Sequence, residues 1–248
     1  MRLDGTQLAF LDISPEYTAE YNRWYDLDHI AEHISKPDVL FGRRYVAPAS
    51  LRGLPGSLVG EALGGHTPYL TWYGFGGPLD MMSDEAKAGW TTMDNGIARQ
   101  GRYWQKGTVP GWAAGSTGEC RARPGCLVSE PAIPYLAHRG LIIAQGIAPS
   151  VERRDEAIAW WNNVHLVDLF TVPGVLASIR LDPVTGPSDR VLHILLCADS
   201  PAEVMPRIDA MLRYQGALGR WPAHKGIYTP ECFLPYDRIV PLEYDFDF

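Results

Sequence analysis

One short pattern stands twice in this chain, 136 residues apart, and an internal copy constrains a fold more tightly than any composition can. The first copy runs Trp24-Tyr25-Asp26-Leu27-Asp28-His29-Ile30-Ala31-Glu32, followed by Pro37-Asp38-Val39-Leu40 and Arg44. The second runs Trp160-Trp161-Asn162-Asn163-Val164-His165-Leu166-Val167-Asp168, followed by Pro173-Gly174-Val175-Leu176 and Arg180. Without a gap, Trp24, His29, Pro37, Val39, Leu40 and Arg44 meet identical residues. Tyr25/Trp161, Ile30/Leu166 and Glu32/Asp168 pair like with like. A second echo links Gly101-Arg102-Tyr103 and Lys106-Gly107 to Gly219-Arg220-Trp221 and Lys225-Gly226. Two echoes in one order predict a single supersecondary unit used twice, as halves 1–125 and 126–248.

A chain of 248 residues with 46% hydrophobic and 21% charged residues can build such a core from two halves. The formal charge of −7 argues against a nucleic-acid partner, which requires clustered Lys and Arg. No run has the length of a membrane span, and Met1-Arg2-Leu3-Asp4-Gly5 lacks the apolar core of a signal peptide, so the expectation is a cytoplasmic protein. Cys120, Cys126, Cys197 and Cys232 show no metal-knuckle spacing and read most simply as reduced thiols.

The local signals repeat in the same order in both halves. Residues 7–13 read as a buried strand. Ser14-Pro15-Glu16 then starts a helix, with Ser14 as N-cap and Pro15 in the first turn. This helix runs to about Ile34 and carries Tyr21, Trp24, Tyr25, Asp28, His29, Glu32 and His33 on one broad face. Strands are predicted over 39–47 and 69–75, separated by a Gly/Pro-rich loop over 48–68 that accounts for the longer first half. A helix over 83–103 and a strand near 118–123 follow. The second half offers a strand over 140–148, a helix over 152–170 and strands over 175–181 and 190–198. Ser200-Pro201-Ala202-Glu203 opens another helix, residues 227–233 form a last strand, and the tail 243–248 reads as an edge strand or a docking tail.

Each half is therefore β-α-β-β-α-β, with helices on one sheet face and the other face left apolar. Two such faces cover each other if the sheets pack together. The stretch W-Y-D-x-x-H-[IL]-x-[ED] followed by P-x-V-L-x-x-x-R resembles the first helix and second strand of EthD-like members of the dimeric α+β barrel superfamily. The resemblance spans Tyr21 to Tyr45 and, more weakly, Ala159 to Leu181. It implies an α+β fold of tandem ferredoxin-like halves, a pseudo-dimer within one chain, enclosing a cleft. Some relatives in that superfamily bind haem through a histidine, but no residue of this sequence stands out as an axial ligand.

Histidine is the side chain whose ordinary pKa lies near neutrality, so His29 and His165 are the first catalytic candidates. A structural role at the end of an amphipathic helix explains the same pair. Tyr25, Asp26, Glu32 and His33 surround His29, whereas His165 has a quieter setting, which favours the first half. Glu32 could raise the pKa of His29, or pair instead with Arg44 or Lys36. His193 interrupts an apolar strand, and is a third catalytic candidate if Val191, His193 and Leu195 face the barrel interior. His66, His138 and His224 lie in loop-like contexts. Trp24, Trp72, Trp160 and Trp161, with Arg44, are the candidate substrate-binding residues. Tyr73, Trp90, Tyr103, Trp104, Trp112 and Trp221 extend the aromatic set, whose other role is core filling.

No P-loop, dinucleotide fingerprint, HExxH or GxSxG motif occurs. The expectation is an enzyme without metal or other cofactor, acting by proton transfer on a hydrophobic or aromatic small molecule. A lyase, isomerase, cyclase or dehydratase step would use His29 as acid or base, with Tyr25 and Arg44 orienting the substrate. The alternatives are a non-catalytic binding or assembly protein and a cofactor-independent oxygenase. A homodimer is compatible with either class.

Overall fold

The computed structural model describes residues 2–58, 68–77, 107–183, 188–221 and 226–244. Eight strands close into an antiparallel barrel in the order β1-β3-β2-β8-β5-β7-β6-β4. They are β1 (Gly5–Ile13), β2 (Val39–Val46), β3 (Tyr69–Phe75), β4 (Gly107–Ala122), β5 (Gly140–Ile147), β6 (Val175–Pro183), β7 (Arg190–Cys197) and β8 (Thr229–Arg238). Read around the barrel, β4-β1-β3-β2 is followed by β8-β5-β7-β6, the same ferredoxin-like order twice. The two blocks join through β4–β6, from Gly115↔Pro183 to Ala122↔Ala177, and through a short β2–β8 seam at Tyr45↔Arg238 and Val46↔Asp237. Closure gives every strand a neighbour on both sides, the β2–β8 seam being the shortest contact. The fold is α+β, in tandem ferredoxin-like halves, as expected.

Period-2 alternation sorts the strand residues into two faces. Inside the barrel, Leu8, Phe10, Tyr45 and Trp72 of the first half pack with Leu141, Ile143, Ile194 and Leu234 of the second. Outside, Ala9, Leu11 and Val46 meet Tyr21, Trp24 and Tyr25. Across the barrel, Ile142, Val191 and Leu195 meet Trp161, Leu166, Met205 and Ile208. Each large apolar side chain so enclosed contributes about 1.5–3 kcal/mol relative to exposure. The sheets therefore shield each other's inner faces, and helices shield the outer ones.

The covering helices have an irregularity that their spacing did not foretell. The first consists of Thr18–Trp24, a π-helical turn at Tyr25–His29, and Ile30–Ile34. The second consists of Arg154–Trp160, a π-helical turn at Trp161–His165, and Leu166–Leu169. Ile30 N–H donates to Tyr25 O, and Leu166 N–H to Trp161 O, each an i→i−5 bond. The two π turns occupy matched positions of the sequence echo. Past each helix the chain turns through a left-handed residue, Asp38 (φ 66°) in one half and Gly174 (φ 96°) in the other.

The remaining differences from the sequence are of extent. β4 is a 16-residue strand and β8 runs on to Arg238. The described part of the expected 48–68 loop holds a short helix, Ala49–Arg52, and a bridge from Leu58 to Phe233. Pro201–Ala217 is the helix opened by Ser200, whose Oγ accepts the Ala202 N–H at 3.3 Å. The expected 83–103 helix, His66, Trp90, Tyr103, Trp104 and His224 lie outside the described residues, as does the side chain of Trp112. No described helix is long and apolar enough to cross a membrane.

Candidate functional site

In the first half the π turn sets Tyr25 and His29 over the outer face of β3. The extra residue in the turn brings both rings inward, a distortion that recurs at functional sites. The Tyr25 and Tyr73 hydroxyls share a 2.9 Å hydrogen bond. His29 Nε2 lies 3.0 Å from His33 Nε2, one proton serving both nitrogens. Trp24 and Tyr25 hold the His29 ring, with centroids 4.6 and 4.5 Å away, and Tyr73 lies 5.1 Å from the His33 ring. His33 is buried while His29 is half-buried, so the pair has one enclosed and one accessible end.

Burial decides the charge states here. It lowers the His33 pKa to about 2, with His29 and Lys36 adding to the effect, so that ring is neutral at pH 7. Burial likewise raises the Tyr25 hydroxyl, and the Tyr73 hydroxyl well above the usual range. Both are hydrogen-bond donors, not phenolates.

Arg44 is not a surface partner of Glu32, which is exposed. Its guanidinium lies 4.3 Å over the Tyr25 ring and donates to Asp26 Oδ1 at 2.7 Å and to Asn22 Oδ1. Asp26 Oδ2 in turn accepts the Tyr244 hydroxyl at 2.6 Å and the Leu242 N–H at 3.2 Å. Leu242 and Tyr244 thus dock on the first helix, and residues 245–248 of the expected tail lie outside the described residues. Arg44 positions Tyr25 from behind.

In the second half the corresponding space is filled. His193 does not face the barrel interior, as its candidacy required. Leu192, Ile194 and Leu196 do, and His193 lies outside, beneath Trp161, with ring centroids 4.2 Å apart at 13°. It stands under Trp161 as Tyr73 stands under Tyr25. His193 Nδ1 lies 3.0 Å from Ser178 Oγ, and its buried Nε2 has no partner. His165 stacks on Trp160 at 5.0 Å, and its Nδ1 lies 2.9 Å from Gln215 Oε1. Gln215 Nε2 donates to Asp168 Oδ2 at 2.7 Å, so its Oε1 is the acceptor and His165 carries its proton on Nδ1. Burial lowers the His165 pKa to about 4 and that of His193 well below the ordinary value. Trp160 donates its indole N–H to Arg220 O at 3.0 Å. Leu169 occupies the position of His33.

The structure therefore brings Trp24, Tyr25, His29 and Arg44 together, and separately gathers Trp160, Trp161, His165 and His193. Trp72 joins neither group. It is fully buried inside the barrel, with Phe41 edge-on at 5.0 Å, and is core rather than cleft wall. Sequence reasoning left out His33 and Tyr73 as site residues. The i, i+4 spacing of His29 and His33 was a usable signal, but nothing local marked Tyr73. Two described cavities are present. One, of about 350 Å³, lies among Asp12, Thr18, Arg52 and Tyr69, and the other, of about 470 Å³, among Leu40, Ser129, Pro131 and Tyr135.

No protein-family model matches the chain, and no curated protein matches it. Solved structures share its fold. An anthrone oxidase-like protein is 10% identical, with 97% of this chain and 92% of that chain covered and a TM-score of 0.55. A candidate DyP-type peroxidase from Shewanella oneidensis is 7% identical, with 100% and 96% covered and a TM-score of 0.54. A candidate chlorite dismutase is 13% identical, with 97% and 96% covered and a TM-score of 0.53. These are dimeric α+β barrel proteins, and this chain has their fold.

The expected cofactor-independent lyase, isomerase, cyclase or dehydratase is contradicted here. The neighbours are named for oxidation and reduction, and proteins of this fold include haem-dependent ones. A histidine that ligates haem iron needs a free imidazole nitrogen facing an open slot. Among the described residues, no histidine lines either cavity. His138 engages Tyr45 Oη and Leu136 O, each at 2.7 Å, through its two ring nitrogens. His165 and His193 are sealed in aromatic stacks, and His29 and His33 turn their Nε2 atoms to each other. No described histidine is placed to ligate a haem.

Proposed function

We propose that the chain is an enzyme of oxidation–reduction chemistry acting on a small aromatic molecule at the outer face of its first half. The observation that carries this reading is the inequality of the two copies. Matched positions hold Tyr25, His33 and the half-buried His29 in one half, and Trp161, Leu169 and the buried His165 in the other. One copy keeps polar groups, with His29 half-buried, where its twin is packed shut. Trp24 and Tyr25 brace the half-buried His29 ring, the accessible member of the pair, which takes up the proton released on oxidation. The oxidase and peroxidase names borne by proteins of this fold support the reaction class. The sequence echo and the repeated strand order support two EthD-like copies dividing near residue 125.

The test uses anthrone as probe, with molecular oxygen or hydrogen peroxide as electron acceptor and product followed by absorbance. His29→Ala should lower kcat by about 100-fold or more, the usual worth of a positioned acid–base group. His165→Ala should keep turnover in whatever fraction stays folded. Equal rates for His29→Ala and the parent protein would refute this assignment.

A further inference from the structure

We infer that His29 and His33 form a two-histidine chelate for a divalent transition-metal ion. The inference rests on the location of the site read above but changes the pair's role, since an ion held by both Nε2 atoms would take the place of the proton between them. Two cis ligands at metal–nitrogen distances near 2.0–2.1 Å stand roughly 2.9 Å apart in octahedral or square-planar geometry and roughly 3.3 Å apart in tetrahedral geometry. The His29 Nε2–His33 Nε2 separation is 3.0 Å, inside that span. The hydrogen bond already sets the two nitrogens at bite distance, and turning each ring off the N···N line, with the shared proton moved to Nδ1, would aim both lone pairs at one ion. The i, i+4 spacing on a helix is the simplest way to present two imidazoles to one ion.

The surroundings hold both rings in place. His29 is braced by Trp24 and Tyr25, and His33 lies edge-on to His29 at 4.3 Å and against Tyr73. Rigid neighbours of this kind lower the ordering cost of binding. Among the described residues no group of three or more His, Cys, Asp or Glu is placed to hold a metal. Two protein ligands leave the other coordination positions to water or to a substrate oxygen, and the half-buried edge of His29 opens toward them. Imidazole donors suit copper, nickel and zinc rather than calcium or magnesium.

The second half supplies its own control. Leu169 stands where His33 stands, so His33→Leu introduces a side chain that the matched position already accommodates within the packed core. The experiment titrates full-length protein with Cu²⁺ and with Zn²⁺ by calorimetry, and records the Cu²⁺ electron paramagnetic resonance spectrum. One equivalent should bind with two imidazole nitrogens coupled to copper. His33→Leu, folded by circular dichroism, should weaken binding by about 100-fold and remove one coupled nitrogen. Equal affinity in parent and His33→Leu, or a copper spectrum lacking paired imidazoles, overturns the inference. If copper does not bind the pair while His29→Ala still abolishes turnover, only the chelate fails. If the pair binds copper while His29→Ala leaves turnover intact, only the functional reading fails.

Discussion

Replacing Asp26 by Leu tests whether the ion pair behind Tyr25 shapes the first half. Both partners are almost fully enclosed, with side-chain exposures of 4% for Arg44 and 6% for Asp26. The carboxylate accepts from Arg44, from the Tyr244 hydroxyl and from the Leu242 N–H. Removing it strands a guanidinium away from water, and breaking a buried pair this way costs about 3–5 kcal/mol. In a chain of this size each kcal/mol shifts Tm by about 2–4 °C, so Asp26→Leu should melt about 6–20 °C lower. It should also release the tail at Leu242–Tyr244 to limited proteolysis. Asp26→Leu with Arg44→Met removes both charges and should recover most of the loss. Thermal and urea unfolding of the four proteins completes the cycle. A loss below about 1 kcal/mol for Asp26→Leu, or a double variant no better than the single, would refute the reasoning. At the matched position Arg180 pairs with Asp182 at side-chain exposures of 17% and 29%, so Asp182→Asn should cost clearly less than Asp26→Leu.

Two further outcomes follow from the second half and the turns. The folded His165 ring, with a pKa near 4, holds its proton less tightly than the unfolded ring near 6.5. The unfolded state therefore takes up the proton first as pH falls, and His165 should account for about 3 kcal/mol of the stability lost between pH 6.5 and 4, with His33, His138 and His193 adding to it in the same direction, read by urea unfolding across that range. His165→Leu, a volume-matched apolar replacement, should flatten this slope, and an unchanged slope would contradict it. Asp38→Gly should stabilise by about 0.5–1 kcal/mol, because a left-handed backbone favours glycine. Gly174→Ala should destabilise by more than that, since its Cβ would lie 2.7 Å from Val204 Cγ2, and paired thermal melts compare the two turns.

Much of the architecture was legible because it rests on local signals. The 136-residue echo marks Trp24 and Trp160 as equivalent, and the structure places both beside π turns over outer sheet faces. Ser-Pro starts, Pro-x-Val-Leu turns and alternating strands were readable because capping and pleating act over a few residues. The π turns were not readable, since an i→i−5 bond leaves no mark on apolar spacing. Parity along β7 correctly separated His193 from Leu192 and Ile194, yet could not say which set faces inward. That choice belongs to barrel closure, which buried Leu192 and left His193 under Trp161. Arg44 and Arg180 are identical in the echo but find different partners, Asp26 in one half and Asp182 in the other.

The chain's own order of residues, then, pointed to a repeated β-α-β-β-α-β order and dictated the parity of each strand and the candidate imidazoles, all consequences of contacts a few residues long. Assembly dictated which face became interior, which histidines were sealed and which pair kept an accessible edge. Tyr25 meets Tyr73 across 48 residues, and Asp26 meets Tyr244 across 218. Such partners are chosen when the barrel closes and burial makes every unpaired polar group costly, a condition no local pattern contains.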